Sequence, residues 1–398
     1  MTITLTAKQG QAVIDAKKWF TRNETNGKDP NRMFKIAGFA GTGKTTVVSE
    51  IIGELGLSED EVVTVAYTGM ATSVLMRKGN KNASTIHKLI YDAVPIEEGG
   101  NVTKFEFTLK DELDNKKIKL IVLDEASMAN EEILTDLKSF RIPIIAVGDT
   151  GQLEPISGAS SALIDPDVFL DEIVRQALDN PIIYLSMLAR QGQHIQYGQY
   201  GDSVQVVSRE HMTLDMFSLA DQIIAGRNAT VQGLNKYYRN NIMNIQNPNP
   251  IVGDKLICLK NDWNYFIESN GIGIPLVNGL LGTLTDKNAH SKTLLYHSSF
   301  RPIFADKEFH NLYIDGVPFV GDYMEELNEK RLYLFRKPII ESKGIQSFDF
   351  GYAITCHKSQ GSEFNNLLLI NEVLNRRSHP KWLYTGITRA KENLILVL

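Results

Sequence analysis

Phe34-Lys35-Ile36-Ala37-Gly38-Phe39-Ala40-Gly41-Thr42-Gly43-Lys44-Thr45-Thr46-Val47-Val48 is the stretch that decides the fold. An apolar strand pattern, Phe34–Ala37, runs into a glycine-rich turn, and a helical pattern begins near Lys44. Gly38, four residues, and then Gly43-Lys44-Thr45 is the Walker A spacing. Small residues there let backbone N–H groups curl around phosphate oxygens at a helix N-terminus. The expected cradle is Gly38, Ala40, Gly41, Thr42, Gly43, Lys44, Thr45 and Thr46. In it Lys44 neutralises the β- and γ-phosphates and the Thr45 hydroxyl holds Mg²⁺. The expected ligands are therefore ATP and Mg²⁺.

Outward from the cradle the chain repeats one texture. Residues 1–20 carry Ala12, Val13, Ala16, Trp19 and Phe20 at helical spacing. Apolar runs recur at Val62–Ala66, Ile118–Leu123 and Ile142–Val147, each ending in a polar or glycine-containing loop. Such runs between helical patterns describe a parallel sheet covered on both faces. The run Lys119–Leu123 ends in Asp124 and Glu125, the Walker B arrangement. Asp124 is expected in the magnesium shell, and Glu125 as the base that orients and deprotonates the attacking water. The next strand leads to Gln152, whose amide is placed to sense the γ-phosphate. Helical patterns follow at 181–189 and 231–239. From about 250 to 345 short alternating segments broken by Asn-Pro, Gly-Asp and Asn-Gly predict a β-rich insertion. The parallel-sheet texture is expected again at Ser347–Ile354, Asn366–Ile370 and Asn393–Leu398.

Composition bounds the function without choosing it. Of 398 residues 43% are hydrophobic and 22% charged, which is ordinary for a globular chain. No apolar run reaches the roughly 18–20 residues of a membrane span. Cys258 and Cys356 stand far apart, without metal-type spacing, and read as reduced thiols in a cytosolic protein. The net charge of −5 argues against a protein that grips phosphates by bulk charge, so any nucleic acid must sit in a local groove.

Taken together, the motifs resemble superfamily 1 helicases, and most closely the RecD/Dda branch, superfamily 1B, from Leu5 to Leu398. Leu5-Thr6-Ala7-Lys8-Gln9 is similar to the Q motif, which implies that Gln9 reads the adenine edge. Ala66–Ala71 resembles motif Ia, with Thr68, and Ala83–Leu89 the segment in which Thr85 and His87 touch the strand. Glu172–Gln176 resembles motif IV, and makes Arg175 an arginine that reaches the γ-phosphate. Val174 stands where superfamily 1A places a tyrosine. Gly351–Phe364 resembles motif V, which puts Thr355, His357 and Ser359 near the DNA backbone, and Gly361 and Glu363 at the nucleotide. Trp382–Ala390 resembles motif VI, with Arg389 as the arginine finger.

The resemblance implies an α/β fold of two RecA-like parallel-sheet lobes, with ATP between them. Lobe one is expected over 1–168, with a small hairpin insertion at about 91–117. Lobe two is expected over 169–250 and 346–398, and a small β-barrel-like insertion over 251–345. Phe105 or Phe107 in the alternating run Thr103–Leu109 is a candidate wedge or a member of a minor core. The implied activity is ATP-dependent translocation on single-stranded DNA, 5′ to 3′, with unwinding at the duplex junction. The implied partners are single-stranded and junction DNA, together with replication or recombination proteins. The expected protein is monomeric, cytoplasmic and not membrane-bound. An RNA-directed helicase of the same superfamily, or a nucleic-acid-stimulated ATPase that separates no strands, would use the same motifs.

Overall fold

The computed structural model describes residues 5–26, 33–98, 101–153, 161–174, 179–269, 272–290, 294–320 and 344–398. The chain forms two compact units. The first comprises Met1–Tyr91, Leu109–Met212 and Ser359–Leu398, and the second Asp92–Thr108 and Thr213–Lys358. In chain order the elements begin α1 (Ala7–Asn26), β1 (Met33–Gly38), α2 (Lys44–Leu55), β2 (Val62–Ala66), α3 (Gly69–Arg77), β3 (Ala83–Thr85) and α4 (Ile86–Ile90). Next come β4 (Tyr91–Glu98), β5 (Asn101–Leu109), β6 (Leu120–Leu123), α5 (Glu131–Ser139), β7 (Ile144–Gly148), β8 (Val168–Leu170) and α6 (Pro181–Arg190). Then follow β9 (Gly198–Tyr200), β10 (Val204–Val207), α7 (Leu214–Leu219), β11 (Gln222–Ala225), α8 (Asn228–Asn241), β12 (Lys255–Cys258), β13 (Asp262–Ser269) and β14 (Ile272–Leu276). The chain goes on through β15 (Leu281–His290), β16 (Leu295–Pro302), β17 (Phe309–Asp315), α9 (Val317–Val320), β18 (Phe348–Phe350), β19 (Ala353–Thr355), β20 (Phe364–Ile370), α10 (His379–Ile387) and β21 (Ala390–Val397).

In the first unit six strands lie in the order β3-β2-β6-β7-β1-β8, with every pairing parallel. Alternation along β6 explains its burial on both faces. Leu120 and Val122 pack with Ala12, Ala16, Phe20, Val47 and Ile51 from α1 and α2. Ile121 and Leu123 pack with Ile86, Ile90, Ile133, Leu134 and Leu137 from α4 and α5. Helix α5 starts where the Asn130 side chain accepts the Ile133 N–H at 2.9 Å, and α6 where Asn180 accepts from Ile182 ahead of a proline first turn. A further parallel pair, β20 with β21, continues through β10, and β9 closes that edge antiparallel.

The second unit holds the β4–β5 pair and a five-stranded sheet of order β17-β16-β15-β12-β18. That sheet and the β13–β14 ribbon are antiparallel. They are the form, among the described residues, of the β-rich region expected over 251–345. One expectation is corrected. The single parallel strand read over Ser347–Ile354 is two: β18 runs antiparallel to β12, and β19 runs parallel to β11. The break falls at Gly351, where a Cβ would stand 2.9 Å from the carbonyl carbon of Leu256, so only glycine lets the chains approach and part. Among the described residues no helix is long and apolar enough to cross a membrane.

Candidate functional site

Strand β1 delivers the chain into the glycine-rich turn, and the turn's geometry explains its composition. Gly41 and Gly43 sit at φ 76° and 75°, a left-handed backbone that side chains resist. Gly43 caps α2, and no side chain there bonds the helix's first N–H groups. Those donors are the phosphate-binding feature of such a helix end. A Cβ on Gly38 would fall 2.9 Å from Leu170 Cβ and from Thr42 Oγ1. The Lys44 ammonium donates to the carbonyls of Gly38 and Phe39, each at 2.9 Å. Thr45 is exposed, and Ala40 and Thr46 are half-buried. Gln9 is buried beneath the turn: its amide nitrogen donates to Thr42 O at 2.9 Å, and its Oε1 accepts the Thr6 N–H at 2.9 Å. The residue expected to read adenine therefore also braces the cradle.

Asp124 follows β6 directly, with its N–H donated to Val65 O at 2.8 Å. Glu125 next to it holds φ 48°, a left-handed backbone uncommon outside glycine. Burial pushes both carboxyls above the usual carboxylate range. The Lys44 and Lys78 charges oppose this at Asp124, and the Arg389 and Lys44 charges oppose it at Glu125. A carboxyl raised in this way is suited to proton transfer. Glu363 pairs with Lys78 at 3.0 Å. Gly361, at φ 72°, faces Thr68 Oγ1, which a Cβ would approach to 3.3 Å. Arg389 is buried. Its Nε donates to Thr385 O and its guanidinium to Ser362 O, both at 3.2 Å. Gln152 is also buried, in the turn after β7. Arg175 lies outside the described residues.

Two residues that sequence reading passed over join this group. The Tyr384 hydroxyl accepts the Ala40 N–H at 2.7 Å and donates to Asp149. Asp149 carries the same signal as Asp124, an acid just past an apolar parallel strand. Tyr384 carries none, being one buried aromatic within a mostly buried helix. The Phe39 ring holds Arg190 at 3.5 Å from its centroid and meets Tyr384 edge-on. For magnesium, the fitting donors are the exposed Thr45 hydroxyl and the Asp124 carboxylate. Magnesium is commonly held by one or two carboxylates with phosphates and water.

The expected strand contacts divide by unit. In the first, the Thr68 and Thr85 hydroxyls accept hydrogen bonds from N-terminal N–H groups of α3 and α4, which leaves the Thr68 proton to donate, and Thr85 is buried. His87 meets Tyr67 edge-on and lies tilted against Tyr91, and burial lowers its pKa to about 4. Ser359 is fully buried, so its hydroxyl is not open to a strand in this structure. In the second unit Thr355 is buried, and His357 is half-buried with its pKa lowered by burial.

Two families match the chain: the AAA domain over residues 24–210 and the UvrD-like helicase C-terminal domain over residues 350–397. The chain is 27% identical to an uncharacterized protein of Methanocaldococcus jannaschii, over 92% of its own length. It is 24% identical to the ATP-dependent RecD2 DNA helicase of Deinococcus radiodurans, over 91% of its length. It spans less than half of these two relatives, 37% and 46% of their lengths. Its fold is similar to that of a Pif1 helicase solved for DNA unwinding at forked double-stranded DNA. That likeness has a TM-score of 0.50 and 18% identity, and covers 100% of this chain and 92% of that one.

Proposed function

We propose, for a chain that belongs to the RecD/Pif1-like helicases of superfamily 1B, that it hydrolyses ATP at the Gly38–Thr46 cradle to travel along single-stranded DNA and open duplex ahead of it. One observation carries the reading: the cradle, two strand-end carboxyls and a buried arginine whose charge acts on Glu125 meet in a single unit. In this reading Lys44 exchanges its two carbonyl partners for the β- and γ-phosphate oxygens. Magnesium at Thr45 and Asp124 would offset charge on the same oxygens. Glu125 takes the proton of the attacking water as the water oxygen bonds to the γ-phosphorus and the bond to the β-phosphate oxygen breaks. Arg389 offsets the charge that builds on the transferring group, and the Gln152 amide senses the γ-phosphate. Arg175 is proposed as a second arginine at the γ-phosphate.

Thr68 and His87 in the first unit, and His357 in the second, are proposed to hold the strand, each unit with its own grip, while Thr355, Thr85 and Ser359 are buried. Loss of the γ-phosphate removes the differential affinity that favours one conformation, which is what makes a hydrolysis cycle directional. The RecD2 and Pif1 names speak for DNA, and the 1B resemblance for 5′ to 3′ movement in the cytoplasm. The lobes and insertions outlined from the sequence are part of the same proposal.

ATP turnover measured alone, with single-stranded DNA, and with RNA of equal length tests the reading. DNA is expected to raise kcat. Lys44→Ala should abolish turnover, and Glu125→Gln should retain nucleotide binding while losing about 10²–10⁴-fold in kcat. Greater stimulation by RNA would change the substrate class. Wild-type turnover in Lys44→Ala would remove the site.

A further inference from the structure

Gln152 lies between two residues whose backbones are pinned. The Gly151 N–H donates to Asp149 Oδ1 at 2.8 Å. The other Asp149 oxygen accepts the Tyr384 hydroxyl, and that hydroxyl accepts the Ala40 N–H of the cradle at 2.7 Å. On the other side, the Leu153 N–H donates to Thr385 Oγ1 at 2.8 Å, and its carbonyl accepts the Gln360 amide at 2.6 Å. Thr385 offers its own carbonyl to Arg389 Nε at 3.2 Å. The packing leaves no slack. Tyr384 is 1% exposed. A Cβ on Gly151 would fall 3.1 Å from Tyr384 Cε1, 3.1 Å from Asp149 Oδ1 and 3.2 Å from Phe39 Cδ1.

We infer that Tyr384 is a positioning residue whose hydroxyl ties Ala40 of the cradle to Asp149, and so sets Gln152 against the bound phosphates. The inference rests on the ATPase reading above. A hydroxyl has one proton to give and lone pairs to receive, so it satisfies a carboxylate and an amide at once. Phenylalanine would leave the Ala40 N–H and one Asp149 oxygen without that partner. Burial, with the Asp149 carboxylate beside it, pushes the Tyr384 phenol far above its ordinary range, so it stays a donor at every working pH. Gln152 then has a fixed base from which to reach the γ-phosphate. A displacement of about 1 Å at such a group costs on the order of 10²-fold in rate.

Tyr384→Phe keeps the ring against Phe39 and removes the bridge. The expected result is a 10- to 100-fold fall in kcat for ATP, on the order that such misplacement produces. The KM should change by less than about threefold, because the cradle's phosphate donors remain. In a Gln152→Ala background the same substitution should add little, since both act through one group. Asp149→Asn attacks the bridge from its other end and replaces Tyr384→Phe should that variant not fold. Its single acceptor oxygen can serve Tyr384 or Gly151 but not both equally, so its loss should likewise be non-additive with Gln152→Ala. Losses that multiply in the double variants, or wild-type kcat in both single variants, would overturn the inference alone. Absence of hydrolysis in the wild-type protein would overturn the ATPase reading and the inference with it.

Discussion

In the proposed function Lys44 is pre-placed for an anion. Its ammonium rests between two carbonyls at 2.9 Å, contacts that phosphate oxygens can replace without leaving the charge unpaired. The cradle was legible in the sequence because its chemistry demands glycine at fixed spacing, and a left-handed φ at Gly41 and Gly43 is what that spacing encodes. Tyr384 and Asp149 were not legible as a pair. Their partners are separated by 344 and 235 positions along the chain, and no local pattern announces them. His87 shows another limit: its segment was readable, but its protonation was not. Burial holds its pKa at about 4 against an ordinary 6.5, so at neutral pH the ring is uncharged. The unfolded chain binds the proton more readily across that interval, so this group's contribution to stability is lost as pH falls from about 6.5 toward 4. The loss is up to about 3 kcal/mol. Thermal melts of His87→Phe between pH 7 and 4 should show less acid sensitivity than wild type, and parallel curves would contradict the assignment.

The elements that carry the candidate site were those easiest to foresee. β2 coincides with the expected run Val62–Ala66, and β6 and β7 fall within two residues of theirs, because buried β-branched runs between helices have few other homes. The alternation at Thr103–Leu109 lies in β5, although the Phe105 side chain is outside the described residues. The split at Gly351 was hidden, since it depends on a backbone approach by Leu256 and on a buried polar hub. In that hub Arg239 binds both Asp254 oxygens at 3.1 Å, and donates to the carbonyls of Asn247 and Asn249. Tyr352 donates to Asp254 at 2.7 Å, and Asn235 bonds Ala353 through both its N–H and its carbonyl. The hub thereby anchors the strand that leads to Thr355 and His357. Arg239→Met leaves the Asp254 carboxylate buried without its charge partner, and should cost about 3–5 kcal/mol in denaturant unfolding. A cost below about 1 kcal/mol would mean that the pair does not hold this region together.

At the scale of the molecule, charge and motif point in opposite directions. A net charge of −5 describes a protein that does not attract nucleic acid by its overall field. The motifs imply phosphate contacts all the same, and the proposed function confines them to local grips, around Thr68 and His87 and around His357. Separating one base-pair step costs about 1.4 kcal/mol in stacking, well within what a hydrolysis cycle can supply. The measurement that bears most directly on the proposed motor is ATP-dependent strand displacement on duplexes carrying either a 5′ or a 3′ single-stranded tail. Displacement with the 5′ tail alone, lost in Lys44→Ala, is the expected result. Displacement on neither substrate, with DNA-stimulated hydrolysis intact, would contradict the helicase and leave a nucleic-acid-dependent ATPase.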